Sequence, residues 1–282
     1  MDVEAGNGQL AAHGVLAKLS WAMRSEPGDV RPHNEDFCGA FAPTTPDDAW
    51  DRGPLFVVAD GLGGHAAGEV ASRLAVETLL HTWSTGAPAA PVPSLRAGVR
   101  AANAAIVDAT HDAGKRGMGT TVSALTLAGR EAVVAHVGDS RVYLVRNRQC
   151  TQLTNDHSRV AELLRMRMIT PEQAANHPAR SMLTRSLGAQ LAVQADVVRQ
   201  AIEVEDVFVL CSDGLWDVVP RGDIASTVDT AAGDARVAAD ALVETALRRG
   251  TADNVTAVVV RVKSDRPIPT AAPRRGLFRR AR

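Results

Sequence analysis

Three runs of branched aliphatic residues in this 282-residue chain lead into an aspartate, and a fourth follows one. Leu55-Phe56-Val57-Val58-Ala59 leads into Asp60-Gly61, Val133-Val134-Ala135-His136-Val137 into Gly138-Asp139-Ser140, and Val207-Phe208-Val209-Leu210-Cys211 into Ser212-Asp213-Gly214. Asp253-Asn254 stands directly before Val255-Thr256-Ala257-Val258-Val259-Val260, and Asn34-Glu35-Asp36 precedes another strand-like stretch. Any one of these acids reads equally well as a turn residue, because Asp-Gly commonly closes a hairpin. Their repetition opens a second reading, in which several carboxylates gather at one edge of a sheet sandwich. Two carboxylates about 4 Å apart repel by about 4 kcal/mol at an effective dielectric near 20. Such a cluster requires cations. With no Cys or His at matched spacing, the ligands would all be oxygen, which suits Mg²⁺ or Mn²⁺. Two such ions about 4 Å apart can activate a water for in-line attack on phosphorus.

Rival motifs fit the same residues less well. Gly61-Leu62-Gly63-Gly64-His65-Ala66 matches the spacing of a dinucleotide loop between a strand and a helix. Asp60 would then face a pyrophosphate with the wrong charge, and the second strand with its ribose-binding acid is missing. Gly114-Lys115 is followed by Arg116, so there is no Walker A loop. Neither a HExxH zinc motif nor a GxSxG nucleophile elbow occurs.

The elements that must position these acids are legible as runs. Strands are expected at Val15–Met23, Leu55–Ala59, Thr121–Leu127, Ala132–Val137, Val142–Val145, Val207–Cys211 and Val255–Val262. Helical spacing of apolar residues marks Glu69–Leu80, Ser94–Asp112 and Ala235–Arg249. Thr170-Pro171-Glu172-Gln173 opens a shorter helix with an N-cap, a first-position proline and a glutamine three residues on. Strands and helices cluster rather than alternate, so the expected fold is α+β, with helices packed outside antiparallel sheets. Residues 158–188 stand apart, with short helical pieces and five Arg against two Glu. They read as a flap or small subdomain inserted into the strand order.

In this order the motifs resemble those of the metal-dependent protein phosphatases (PPM, or protein phosphatase 2C type), in their bacterial branch. Arg31-Pro32-His33-Asn34-Glu35-Asp36 and Asp60-Gly61-Leu62-Gly63-Gly64-His65 are similar to the family's opening motifs. Gly117-Met118-Gly119-Thr120-Thr121, Gly138-Asp139-Ser140-Arg141, Ser212-Asp213-Gly214 and Asp253-Asn254-Val255-Thr256 follow. The resemblance implies a sandwich of two antiparallel β-sheets flanked by α-helices, with metals in a channel at one end. It implies hydrolysis of phosphoserine and phosphothreonine by a water or hydroxide bridging two Mg²⁺ or Mn²⁺ ions, without a phosphoenzyme. Asp60 would be shared by the two ions and Gly61 would lend its carbonyl. Asp213 and Asp253 would complete the first ion, Glu35 and Asp36 would hold metal-bound waters, and Arg31 would grip the phosphate. Asp139 and Asp213 would contribute to a third, weaker metal site. Many eukaryotic relatives carry a proton-donating His where this chain has Leu62; the alternatives are a metal-bound water, another His, with His33 and His65 nearest in sequence, or reliance on better leaving groups. His157 reads as ordering the flap entrance, Ser140 and Ser212 as turn hydrogen-bonders, and Cys211 as buried packing.

Composition limits the alternatives. The net charge of −1 excludes a chain that is basic throughout, as a nucleic-acid coat would be. Aromatic residues are only 4%, so the core must be built from Val, Leu, Ile and Ala and stacking platforms for nucleic acid are scarce. A phosphodiesterase or nuclease is therefore disfavoured. A catalytically silent phosphoprotein-binding relative would have little need for Arg31, Asp36, Asp60, Asp213 and Asp253 together. Three scattered cysteines suit a reducing compartment, and neither a signal peptide nor a membrane span is evident, so a cytoplasmic location is expected. Residues 1–14 are expected to be a flexible N-terminus, 15–263 the catalytic domain, and 264–282, with six Arg and one Asp, a flexible basic tail. The expected partners are phosphorylated proteins and a Ser/Thr kinase.

Overall fold

The computed structural model describes residues 2–6, 9–16, 18–42, 53–63, 66–86, 90–111 and 117–263. One sheet has seven strands in the order β1 (Asp2–Gly6), β2 (Gln9–Leu16), β3 (Leu19–Glu26), β13 (Val255–Val262), β12 (Val207–Cys211), β9 (Arg141–Arg146), β10 (Gln149–Gln152). The other has β11 (Asp196–Ala201), β8 (Glu131–Val137), β7 (Val122–Ala128), β5 (Leu55–Leu62) and β4 (Asp36–Phe41), with the two-residue β6 (Gly119–Thr120) paired to the end of β5. Every strand pair is antiparallel.

Four layers account for the apolar runs. Along β12, Phe208 and Leu210 face the other sheet beside Phe56, Val58 and Leu125, while Val207, Val209 and Cys211 face helices α6 (Arg221–Thr230) and α7 (Ala235–Arg248). Helices α1 (Ala66–Thr85) and α2 (Pro91–Ala109) cover the outer face of the six-stranded sheet, with Ala75, Leu79, Leu95 and Val99 against Val57, Ala59 and Val133. Central strands are thus buried on both faces, which is why they read as continuous rather than alternating hydrophobic stretches.

Three short helices complete the chain: α3 (Arg159–Arg165), α4 (Pro171–Ala175) and α5 (Asp213–Trp216). The capping box expected at Thr170 is present, its hydroxyl accepting from the Gln173 amide while Gln173 reaches back to the Thr170 amide. Both ends of the 158–188 segment are pinned: Arg159 N–H donates to Met182 O, Thr184 N–H to His157 O, and Thr120 and Leu187 exchange backbone bonds.

The expectations need correction in the N-terminal region. Val15–Met23 is not one strand; the chain reverses so that Leu16 lies opposite Leu19, and the run is split between β2 and β3. Residues 2–6 and 9–14 are strand, not a flexible arm. They form the sheet's edge, where backbone pairing needs few large apolar side chains, so composition gave little sign of them. The basic tail at 264–282 lies outside the described residues.

Candidate active site

Asp60 does not sit in a hairpin turn. Strand β5 continues through it to Leu62, and Gly61 and Leu62 pair with Thr120 and Gly119 of β6. The register sets Asp36 of β4 directly opposite Asp60. The Asp60 backbone is fixed from three directions: its N–H donates to Thr121 Oγ1 at 2.9 Å, and its carbonyl accepts from Thr121 N–H at 2.9 Å and Thr120 Oγ1 at 2.8 Å. Gly61 must be glycine, since a Cβ there would lie 2.2 Å from Gly68 O and 2.6 Å from Glu35 O. The close approach brings Glu35 O within 3.1 Å of Gly61 N–H and sets the first turn of α1 against the end of β5.

Asp213 likewise is no hairpin residue; it opens α5 immediately after β12. Asp139 follows Gly138 in the connection from β8 to β9, where the turn reading holds. Gly138 has φ +109°, and a Cβ there would meet Thr121 Cβ at 2.6 Å. Asp253 lies in the short loop before β13. Asn254 ties that loop to the 27–36 segment, donating from Nδ2 to Pro27 O and His33 O and accepting the Glu35 amide on Oδ1.

These acids form one electrostatic unit. Burial pushes the Asp36 carboxyl up to about 7, with further push from Asp213 and Asp253 against the pull of hydrogen bonds from Ser212 and Thr256. Burial and the charges of Asp213, Asp36, Asp139 and Asp253 hold Asp60 well above the usual carboxylate range. Asp139 is pushed to about 7 by burial, then by Asp213 and Asp156, and Asp213 to about 6 by burial and then Asp253. Among the described residues no three carboxylates close on a single point as a finished ligand set. Side-chain bonds hold some of them apart: Arg31 Nη2 lies 2.7 Å from Asp253 Oδ2, and Ser212 and Thr256 both bond Asp36 Oδ2. The donor chemistry still fits hard cations. Buried carboxylates that raise one another's proton affinity are the groups whose ionised form a divalent ion stabilises.

The other expected residues fall as follows. Arg31 is half-exposed at the rim, its guanidinium favoured in the charged form chiefly by Asp253. Glu35 is half-buried beside Gly68, and Leu62 is half-buried in β5. His33 is exposed, while Gly64 and His65 lie outside the described residues. His157 does order the flap entrance, since its N–H donates to Gly138 O at 2.7 Å and its Nδ1 accepts Gly138 N–H at 3.0 Å. Its Nε2 lies 3.1 Å from Asp196 Oδ2, out of line for a good hydrogen bond. Cys211 is fully buried. Ser140 and Ser212 are not local turn groups: they bond Thr121 Oγ1 and Asp36 Oδ2 across the fold. Thr121, Thr256 and Asn254 were visible only as motif members, since a buried hydroxyl or amide leaves no periodic signal.

With this geometry in place, comparison with known proteins is decisive. The family model described as "Protein phosphatase 2C" matches residues 27–255. The chain belongs to the protein phosphatase 2C family. It is 37% identical over 243 residues to a serine/threonine phosphatase, stp, of Listeria welshimeri, a match covering 84% of this chain and 94% of that one. It is 39% identical over 249 residues to the serine/threonine protein phosphatase PstP of Mycobacterium tuberculosis, covering 88% of this chain and 46% of that longer protein. A crystal structure of the PstP catalytic domain in complex with two manganese ions superposes with a TM-score of 0.75 at 37% identity, covering 88% of this chain and 99% of that one. The 2C-type fold is thus the two-sheet sandwich seen here, and Glu35, Asp36, Asp60, Asp139, Asp213 and Asp253 all fall within the matched span.

Proposed function

We propose that this chain is a Mn²⁺- or Mg²⁺-dependent phosphatase that hydrolyses phosphoserine and phosphothreonine in proteins. The observation that carries the reading is the pairing of Asp36 with Asp60 on adjacent strands, with Asp139 and Asp213 close enough to perturb Asp60. Family membership and the relatives' names support it. When bound, the divalent ions supply Lewis acidity and lower the pKa of a water.

The chain's own residues do the rest. Asp60 would be shared between two ions, with the Gly61 carbonyl beside it, and Asp213 and Asp253 would complete the first. Glu35 and Asp36 would orient water, and Asp139 with Asp213 would serve a third, weaker site. Arg31, half-exposed at the rim, is placed to exchange its Asp253 partner for a substrate phosphate, which its planar fork suits. Leu62 can give no proton to the leaving oxygen. The substrates imply a Ser/Thr kinase as the enzyme that supplies them. Three free thiols, with no helix among the described residues long and apolar enough to cross a membrane, support a cytoplasmic site of action.

The test is hydrolysis of p-nitrophenyl phosphate and a phosphothreonine peptide after chelation with EDTA, then with Mn²⁺ or Mg²⁺ restored. Activity should vanish and return. Full activity in stripped protein would sink the metal-dependent reading, and binding of the phosphopeptide without turnover would favour a silent binder.

A further inference from the structure

The Asp36 carboxylate is gripped on one oxygen only. Ser212 Oγ donates to Asp36 Oδ2 at 2.6 Å and Thr256 Oγ1 to the same atom at 2.7 Å. Both hydroxyls are fully buried. Their hydrogens have fixed destinations. Ser212 Oγ already accepts the Thr256 amide at 3.0 Å, so its one hydrogen is free for Asp36. Thr256, having given its hydrogen to Asp36, must accept in its 2.7 Å contact with Ser25 Oγ. Ser25 therefore donates there, and accepts from Asn34 Nδ2 at 2.9 Å. Asn34 Oδ1 in turn accepts the Asp36 amide at 3.1 Å, closing a ring through five groups. Every side-chain hydrogen in the ring runs towards Asp36 Oδ2. Among the described residues Oδ1 takes no hydrogen bond, which leaves it for the acid cluster around Asp60.

We propose that Ser212 and Thr256 are positioning residues that lock the Asp36 carboxylate by Oδ2, in its acceptor form, so that Oδ1 is presented to the cation site. The inference rests on the phosphatase reading only for its activity arm. Charge-assisted O–H donors to a carboxylate are short and strong, and two on one oxygen fix both its position and its plane. They also satisfy a buried carboxylate that has no cationic side chain bonded to it. The ring joins β3, β4 and β13 to Ser212, just beyond β12, so it ties the Asp36 strand of one sheet to the Asp213 end of the other.

The test is Mn²⁺ affinity, read by the electron paramagnetic resonance signal of free Mn²⁺, alongside kcat and KM for p-nitrophenyl phosphate. Thr256→Val keeps shape and removes the donor; Thr256→Ser keeps the donor. Thr256→Val should weaken Mn²⁺ binding several-fold and lower kcat about tenfold with KM little changed, as expected for an interaction that acts on the reacting site rather than on substrate binding. Thr256→Ser should recover most of both losses. Ser212→Ala and Ser212→Thr form a second pair, in case Val at 256 disturbs folding. Each substitution is repeated on Asp36→Asn. If the hydroxyls act through Asp36, their removal there should add little further loss of Mn²⁺ affinity. Equal losses in both backgrounds, or no recovery with Thr256→Ser, would overturn the proposal. A wild-type protein that binds Mn²⁺ but hydrolyses nothing would instead overturn the phosphatase reading, and the affinity comparison would stand by itself.

Discussion

Asp60 can be altered without disturbing the backbone that carries it, because Thr120 and Thr121 hold its amide and carbonyl rather than its side chain. Asp60→Asn should therefore fold. It removes the charge on which the other four aspartates converge, and kcat should drop at least ~100-fold, the scale of losing a principal electrostatic stabiliser. The folded metal-free protein should be no less stable, since like-charge repulsion is relieved. Wild-type kcat and Mn²⁺ affinity in that variant would make Asp60 a strand residue and nothing more. Arg31 separates two roles. As an exposed partner of Asp253 it contributes little to stability, since such pairs are worth about 0–1 kcal/mol. As a phosphate clamp it would govern KM. Arg31→Ala should raise KM for phosphopeptides several-fold while leaving Mn²⁺ affinity unchanged or tighter, because Asp253 is released. Weaker Mn²⁺ binding with unchanged KM would contradict the clamp.

At the scale of elements, the 158–188 segment is rooted on its neighbours. Arg165 Nη1 donates to Asp156 O, and Arg180 pairs with Asp217 at the end of α5, directly beyond Asp213. Arg159 pairs with Glu162 and Arg185 with Asp196, so four of its five arginines have partners, whereas the Arg167 side chain is exposed, at φ +56°, with no hydrogen bond or ion pair among the described residues. Arg167→Glu is consequently a cleaner charge reversal than one at Arg165. It should lower kcat/KM on phosphoproteins a few-fold, spare p-nitrophenyl phosphate, and lose its effect as salt rises, because exposed charges are screened beyond about 10 Å at 0.1 M. Equal loss on both substrates would place the effect in the metal site. The flap's capping box was legible in four residues, and so were the strands buried on both faces, such as Val207–Cys211. What stayed hidden had weaker local signals. The edge strands 2–6 and 149–152 are set by pairing rather than by hydrophobic content. The Asp-Gly pairs at 60 and 213 have the same local sequence chemistry whether the chain turns, continues as strand or enters a helix; only the partner β6 and the helix α5 decide. The acids themselves were legible because they recur at strand ends, and the hydroxyls that orient one of them were not, because Ser212 and Thr256 sit 44 residues apart.

The whole molecule carries the cost of gathering these acids, and that cost has a pH signature. Asp36 and Asp139 are raised to about 7 and Asp213 to about 6, with Asp60 higher than ordinary carboxylates. Each is near 4 in the unfolded chain. Where the folded state binds more protons than the unfolded one, stability falls as pH rises. Two buried histidines act in the opposite sense: burial lowers His136 to about 4 and lowers His157 as well, so below about 6.5 the unfolded chain gains protons that the fold refuses. The two effects offset one another in the acid range. Above about 6.5 the histidines are neutral in both states and only the carboxylates still titrate. The melting temperature of metal-free protein in EDTA should therefore decline between pH about 6.5 and about 8. Mn²⁺ competes with protons for the same oxygens, so its stabilisation should be larger at the alkaline end, where no proton has to leave. Scanning calorimetry at both pH values, with EDTA and with Mn²⁺, reads all four quantities. A metal-free melting temperature that rises towards pH 8, or a Mn²⁺ increment larger at pH 6.5, would mean that the five aspartates are too far apart in solution to share charge.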